Sequence, residues 1–557
     1  MEDPEHPQQT ITAIDNLIFF SNFDSGNLSK ATKTSSNTYE LEISPDASSK
    51  GFSSYRTWFF FGIRGLKKGT YLRLCIINLS YLRPWSSPTY KPVWRCVPSH
   101  SEWQRIVTET IFEPIGNGYN KFTWTFEAVA NDNDHFFAFA PPYPYCDVMK
   151  SISIFEKMCP GDSTFHRESL IRSLDGRDIE LITISNKSNF STEREDRIHG
   201  LFPSSGSRCF KAQKPIIFIS ARVHPGETPA SYLLDGILQV LLSPDTRGTS
   251  LRSNFVFKII PILNPDGVYR GNFRVDQNGI NLNRCYIEPS IMEHPTIYAA
   301  KWYFSYLHNV KFYLDLHAHM SKRSCFLFGN YLPLEKQPDN QVYAKLIEIN
   351  TPYFEFSECD FSEKSMSAKD PKDHHSKEGS GRVAFYQNFG IIHTYTIECS
   401  YYMLRPLHNI PPTINMKTGR KFTESIVYNS SGLISVHNRA FFNDLAVGVL
   451  MAILDVEQCN SNSRLPLSEF RTLESMKEYI RARAMIQNRI LSKNFSRGEV
   501  KRPDKTTADK PTTLPKVPLR KIHKLNVVSP IFNSVPQTLH HKAKVVIGPR
   551  GKSLIRE

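Results

Sequence analysis

The sequence has no long apolar run. Nowhere in its 557 residues is there a stretch like the about 18 consecutive apolar residues that a membrane-spanning helix needs. The opening "MEDPEHPQQT" is polar and acidic, with no apolar core of a leader, so no secretory signal is expected. The ten cysteines are scattered and form no CxxC pair, which excludes a disulfide framework or a cysteine-rich metal knuckle. Reduced thiols in the cytoplasm, with the nucleus as a second compartment, are the expectation. HExxH is also absent, which excludes two histidines presented to a metal from one turn of helix. No internal repeat is found, so a solenoid is excluded.

Positive charge, in contrast, is abundant but unevenly placed. The net charge is +14, and residues 493–557 hold 15 Lys/Arg against 4 Asp/Glu. That segment is rich in Pro, Lys and Thr and reads as a disordered basic tail. Such a tail attracts acidic partners by long-range electrostatics. The other 492 residues are nearly neutral, at +3.

The body of the chain changes character once. After a flexible start over 1–16, residues 17–150 carry short runs rich in β-branched and aromatic residues, such as "YRTWFFFGIRG" and "YLRLCIINLS". Broken by Gly, Pro, Asn and Ser, these predict a small all-β sandwich domain. From 151 to 460, continuous apolar runs ("KPIIFISA", "NFVFKIIPIL", "VKFYLDLHAH", "IIHTYTIECS") alternate with helical stretches at 229–242, 294–308 and 439–456. Runs without polar alternation suit strands covered on both faces, so an α/β domain with a mixed sheet flanked by helices is predicted. A C-terminal segment, 461–492, carries a charged helix over 467–492.

In α/β folds functional groups gather where strands end, and three of these strands end in metal-ligand residues. "PIIFISARVHPGE" ends in His224 and Glu227, "VKFYLDLHAH" in His317 and His319, and "IIHTYTIECS" carries Glu398. A catalytic zinc takes three protein ligands, commonly two from a short spacer and one from afar. His224, Glu227 and His317 fit that layout, with Glu398 free to act as general base. Asp315 and His319 are read as supporting residues, with His319 expected to face away from His317. The pair His374–His375 reads as solvated. The loop "NPDGVYRGNFRVDQNGINLNR" adds Arg270, Arg274, Asn283 and Arg284, and the planar fork of arginine suits a substrate's terminal carboxylate.

The segments "HPGE", "NPDGV", "NLNR", "DLHAH" and "YTIE", in this order and spacing, resemble the M14 zinc metallocarboxypeptidases. "HAHMSKRSCFLFGN", "FSEKSMSAKD" and "SKEGSGRVAFYQNFGIIHTYTIEC" are similar to the cytosolic carboxypeptidase branch, and the likeness covers about 17–460. The resemblance implies one Zn2+ held by His224, Glu227 and His317, with Glu398 as base and then proton donor. It implies that Arg274, Asn283 and Arg284 hold the terminal carboxylate, Arg274 also polarising the scissile carbonyl. It further implies removal of glutamate from polyglutamylated tails, tubulin's above all, including the γ-linked branch-point residue. The expected enzyme is a cytoplasmic, microtubule-associated monomer with no nucleic-acid or membrane partner. The alternatives are a zinc amidohydrolase acting on another acidic peptide or a small acyl-amino acid, and a non-catalytic reader of glutamylated tails.

Two departures from the digestive relatives stand out. Their aspartate that supports a zinc histidine is replaced here by Asn281, which can accept a hydrogen bond but brings no charge. Their mobile tyrosine has no counterpart that can be assigned. For the glutamate side chain, Arg382 in "SKEGSGR" is the expected partner, ahead of Lys377, Lys322 and Arg323.

Overall fold

The computed structural model describes residues 11–47, 55–80, 90–370, 374–401, 405–422 and 439–496. The expected disordered tail lies outside the described residues beyond Ser496. Residues 1–488 form one compact unit and 489–557 a second.

The N-terminal part is a two-sheet sandwich. One sheet orders its strands Ile11–Ile14, Leu17–Phe20, Phe60–Arg64, Asp134–Ala138, Val93–Val97 and His100–Arg105. The other orders them Lys30–Ser35, Thr38–Glu42, Tyr71–Ser80, Tyr119–Glu127 and Thr110–Gly116. Aromatic side chains fill the space between: Trp124 stacks on Phe59 at 5.8 Å and Phe61 on Phe137 at 5.5 Å. The strand Ile11–Ile14 corrects the expected flexible start over 1–16. It pairs with Leu17–Phe20 in a hairpin, Ile14 opposite Leu17, because the intervening Asp15 adopts a left-handed φ of 52° and closes the turn. The first helix, Tyr145–Lys157, likewise begins before the expected boundary at 150.

The α/β part is built on a seven-stranded mixed sheet. Across it run Ser163–Arg172, Asp178–Asn186, Val256–Ile260, Ile216–Ala221, Val310–His319, His393–Ser400 and Phe326–Phe328. The four strands from Val256–Ile260 to His393–Ser400 are mutually parallel and the others antiparallel. Strand Ile216–Ala221 is buried at every position, as its unbroken apolar run predicts. Pleating sends Ile217, Ile219 and Ala221 to one face, into a core shared with helices Thr228–Leu242, Gln337–Asn350 and Arg439–Val456. Phe218 points to the other, against Tyr303 and Phe304 of helix Pro295–Tyr306. Helix Gly381–Phe389 covers the same face, where Phe385 meets Tyr313 at 4.5 Å.

One apolar core runs without a break from the sandwich into the α/β sheet. Phe139 of the sandwich meets Phe273 and Tyr401 of the α/β part at 5.5 and 5.9 Å. The charged C-terminal helix spans Leu473–Ser496, starting later than expected because a short strand, Asn462–Ser463, and the 3-10 turn Leu465–Leu467 precede it. Among the described residues no helix is long and apolar enough to cross a membrane. All ten cysteines are free thiols.

Candidate metal centre and substrate cleft

The centre lies at the C-terminal ends of the parallel strands, where open α/β sheets gather their ligands. Strand Ile216–Ala221 leads into the bend "RVHPGE". Arg222, with a left-handed φ of 57°, turns the chain, and its buried guanidinium donates to the Pro225 carbonyl from both Nε (3.1 Å) and Nη2 (2.6 Å). Gly226 is required at the tip: a Cβ there would stand 2.5 Å from the Phe273 ring. Glu227 then stands at the N-cap position of helix Thr228–Leu242, with its carboxylate turned to the histidines and not to the helix amides. His317 arrives from the neighbouring strand, and parallel register places it directly opposite Glu398.

Glu227 Oε1 lies 2.9 Å from His224 Nδ1, and Oε2 lies 2.9 Å from His317 Nδ1. The three ligand atoms lie within 4.8 Å of one another, and this is the one such metal-ligand group among the described residues. Two imidazole nitrogens and a carboxylate are the donor set that zinc takes in catalytic sites. The residues therefore fit the ion. The outer nitrogens are held as well: His224 Nε2 lies 3.1 Å from Asn281 Oδ1, and His317 Nε2 lies 2.9 Å from Asp315 Oδ2. Asn281 thus keeps the supporting contact, as an amide can. The carboxylate supports His317 instead, and the Ser220 hydroxyl donates to its other oxygen at 2.8 Å.

Charges around the centre separate the two histidines. Burial, with Arg274 adding to it, holds His224 down at about 4 despite Glu227. Burial also opposes charging of His317, but Asp315 and Glu227 outweigh it and lift that imidazole well above its ordinary value. Glu227 is buried too, yet its two histidines hold its carboxyl well below the usual range. Glu398 behaves oppositely: burial, with Glu227 and Asp315 adding repulsion, pushes its carboxyl to about 7. It is half-buried, and no hydrogen bond engages its carboxylate among the described residues. A base poised near neutrality and unengaged is what proton transfer from water requires.

Two expected carboxylate-binding arginines come together. Nη2 of Arg274 and Nη2 of Arg284 both donate to Asp370 Oδ2, at 2.9 and 3.2 Å. The sequence reading missed Asp370, which lies in the expected cytosolic-branch segment "FSEKSMSAKD" but carries no motif of its own. Asn283 is turned into the floor of the site. Its Oδ1 accepts from the Gly381 amide at 3.2 Å, and its Nδ2 lies 3.4 Å from His317 Nε2. Arg270 stands outside the site, paired with Asp175 at 2.8 Å.

Arg382 is where the structure departs most from expectation. It is 3% exposed, and its guanidinium donates to the Gly329 and Ser365 carbonyls and to Asn330 Oδ1, at 2.5, 3.1 and 2.8 Å. These bonds tie the loop after strand Phe326–Phe328 and helix Glu363–Ser367 to helix Gly381–Phe389, so Arg382 acts as a brace beneath the cleft. Lys377 is the better-placed cation. It is half-buried, within electrostatic reach of Arg284, Arg382 and Glu398, and no ion pair engages its ammonium among the described residues. Lys322 is paired with Glu358, and Arg323 is exposed. His319 does not face away from His317: a step of two residues along a strand returns to the same face. It stays out of the ligand set because its Nε2 is 2.9 Å from the Ser324 carbonyl and its ring packs on Phe326. His374 and His375 are exposed, as read.

Comparison with known proteins agrees with this geometry. Residues 162–302 match the zinc carboxypeptidase family model, and residues 19–139 match the cytosolic carboxypeptidase N-terminal domain. The chain is 31% identical to rat cytosolic carboxypeptidase-like protein 5, over 83% of this chain and 71% of that protein. The human protein of the same name is also 31% identical, over 83% and 66%. Human cytosolic carboxypeptidase 1 is 30% identical, over 71% of this chain and 33% of its own length. Among solved structures, a metallo-carboxypeptidase from Burkholderia cenocepacia shares the fold with a TM-score of 0.58 at 18% identity, over 79% of this chain and 99% of its own. One from Pseudomonas aeruginosa, in complex with (2-guanidinoethylmercapto)succinic acid, has a TM-score of 0.55 at 20% identity, over 79% of this chain and all of its own. With the metal-ligand triad, its supporting residues and the N-terminal sandwich all in place, this chain belongs to the cytosolic carboxypeptidase family of zinc carboxypeptidases.

Proposed function

We propose that this protein is a deglutamylase: a carboxypeptidase that releases glutamate from acidic protein tails, with glutamylated tubulin as the foremost substrate and the branch-point γ-linked residue included. The observation that carries this reading is the charge of the cleft. Arg274 and Lys377 lie within electrostatic reach of the half-buried Glu398, and Arg284 within reach of Lys377, so the site favours a leaving residue with two carboxylates.

In the proposed division of labour, Arg284, with Arg274, grips the α-carboxylate of the departing glutamate, and Lys377 reads its side chain. Arg382 braces the floor. Zinc, when bound by His224, Glu227 and His317, supplies Lewis-acid polarisation of the scissile carbonyl and lowers the pKa of water. Glu398 takes a proton from the attacking water and passes it to the leaving nitrogen. Arg274 donates to the oxygen on which negative charge develops. In α- and γ-linked substrates the leaving group is the same glutamate amine, so one cleft serves both linkages. A cytoplasmic location suits such a substrate and the ten free thiols.

Mass spectrometry of glutamylated tubulin, carrying both chain and branch-point glutamates, tests the reading. Zinc-loaded wild type is expected to remove glutamates one at a time, and Glu398→Gln none. Loss of no glutamate by a zinc-loaded wild type would overturn the substrate assignment.

A further inference from the structure

The sandwich touches the catalytic machinery at one carboxylate. Asp46 follows strand Thr38–Glu42 and is 1% exposed. Its Oδ1 accepts the Phe273 amide at 2.8 Å, and its Oδ2 accepts the Arg274 amide at 2.7 Å and the Val275 amide at 3.3 Å. Three consecutive backbone N–H groups therefore converge on one buried carboxylate from a different part of the fold. Charge-assisted bonds of this kind are the strong ones, and a buried carboxylate left without them is costly.

The segment that Asp46 holds is the one that carries Arg274. Other contacts seat it in the same place. Asn27 Nδ2 donates to the Gly271 carbonyl at 3.3 Å, and the Ser25 amide to the Tyr269 carbonyl at 2.9 Å. Gly271 has a φ of +68°, and a Cβ there would stand 2.6 Å from the Gly26 carbonyl oxygen, so the two segments meet backbone to backbone. From the far side, the Gly226 amide donates to the Phe273 carbonyl at 2.8 Å. The Asp46 clamp is therefore one peptide away from the bend that presents His224 and Glu227. The side chain of Arg274 reaches the cleft from a backbone whose position the sandwich sets.

We propose that Asp46 is a positioning residue of the active site, a sandwich carboxylate that fixes the 273–275 backbone and so aims Arg274 at the substrate. The inference rests on the proposed function only for the choice of substrate. Displacing an oxyanion donor by about 1 Å costs on the order of a hundredfold in rate, so the effect is large enough to read.

The test compares the full-length, zinc-loaded wild type with Asp46→Asn, Asp46→Ala, Arg274→Ala and the double variant Asp46→Ala/Arg274→Ala. Glutarate binding is measured by calorimetry and glutamate release on a glutamylated peptide. Asp46→Ala is expected to weaken glutarate binding by about tenfold and to lower kcat by about 10–100-fold, with zinc content unchanged. Asp46→Asn keeps one acceptor oxygen and should fall between. In the Arg274→Ala background, Asp46→Ala should cost less than about twofold more, because the group it aims is gone. Full multiplicative losses in the double variant would overturn the proposal, as would wild-type kcat and glutarate binding in a folded Asp46→Asn. Should Asp46→Ala fail to fold, Asp46→Asn decides. A wild type that binds glutarate in an Asp46-dependent way but releases no glutamate would sink the substrate reading alone. A wild type that releases glutamate without regard to Asp46 would sink this inference alone. A wild type that does neither has no Arg274 function to aim and overturns both.

Discussion

The sandwich and the α/β sheet solve the burial problem in opposite ways. In the sandwich the two outer strands of one sheet stay largely in water: in strand Lys30–Ser35 only Ala31 is buried, and in Thr110–Gly116 no residue is. Its core is aromatic, led by Phe19, Phe59, Phe61 and Trp124. The α/β sheet is covered on both faces, and its strands Ile216–Ala221 and Val256–Ile260 are buried at every position. All three metal ligands and the base come from the second architecture, whose parallel strands end together at one edge. The first contributes no ligand, yet its Asp46 holds the backbone beside Arg274. A domain without catalytic side chains can still be part of an active site when it sets another domain's backbone.

The largest expected effect is on the catalytic side of this contrast. Glu398→Gln should lower kcat by at least about 10²–10⁴-fold while leaving zinc content unchanged, as metal analysis alongside steady-state kinetics would show. A variant that keeps most of its activity would remove Glu398 from the mechanism.

A core truncation in the sandwich asks whether the two regions are separable. Trp124 is 1% exposed, and Trp124→Ala should cost about 3–5 kcal/mol. Because one apolar core spans both regions, calorimetry should show a single transition shifted to lower temperature, with zinc released in the same step. Two transitions, with zinc retained through the first, would break the comparison.

Within the metal centre, the charged and the neutral supports should differ. Asp315→Asn is expected to weaken zinc binding by about 10–100-fold and Asn281→Ala by no more than about tenfold, measured by competition with a chelator. The reverse order would mean that the amide, not the carboxylate, tunes the site.

The smallest effect is on pH. Glu398 works as a base only when ionised, and burial raises its carboxyl to about 7, so kcat/KM should show an acid limb at or below that value. Bound zinc adds positive charge and moves the acid limb below that value. A pH–rate profile with no acid limb from about pH 4 to 8 would argue against Glu398 as the group that titrates.

The legible parts of the molecule were those with a short-range pattern. Unbroken apolar runs marked the parallel strands, aromatic and β-branched runs the sandwich, and the ends of three strands supplied His224, Glu227, His317 and Glu398. Arg382 was misread because a sequence cannot tell a cation that lines a pocket from one that braces it. Gly flanking suggested openness, whereas the carbonyls of Gly329 and Ser365 close around the guanidinium. Asp46 and Asp370 were missed because each is a single aspartate in an unremarkable setting, and their partners lie 228 and 96 residues away at Arg274.

By itself, then, the sequence determined the fold class and pointed to the residues that gather at the metal centre, since periodicity and strand-end chemistry are local properties of the chain. Only the tertiary structure decided that Arg382 is buried as a brace, which carboxylate supports which histidine, and that the sandwich reaches the backbone of Arg274. Those outcomes depend on hydrogen-bond partners and burial that exist only once distant segments are packed together.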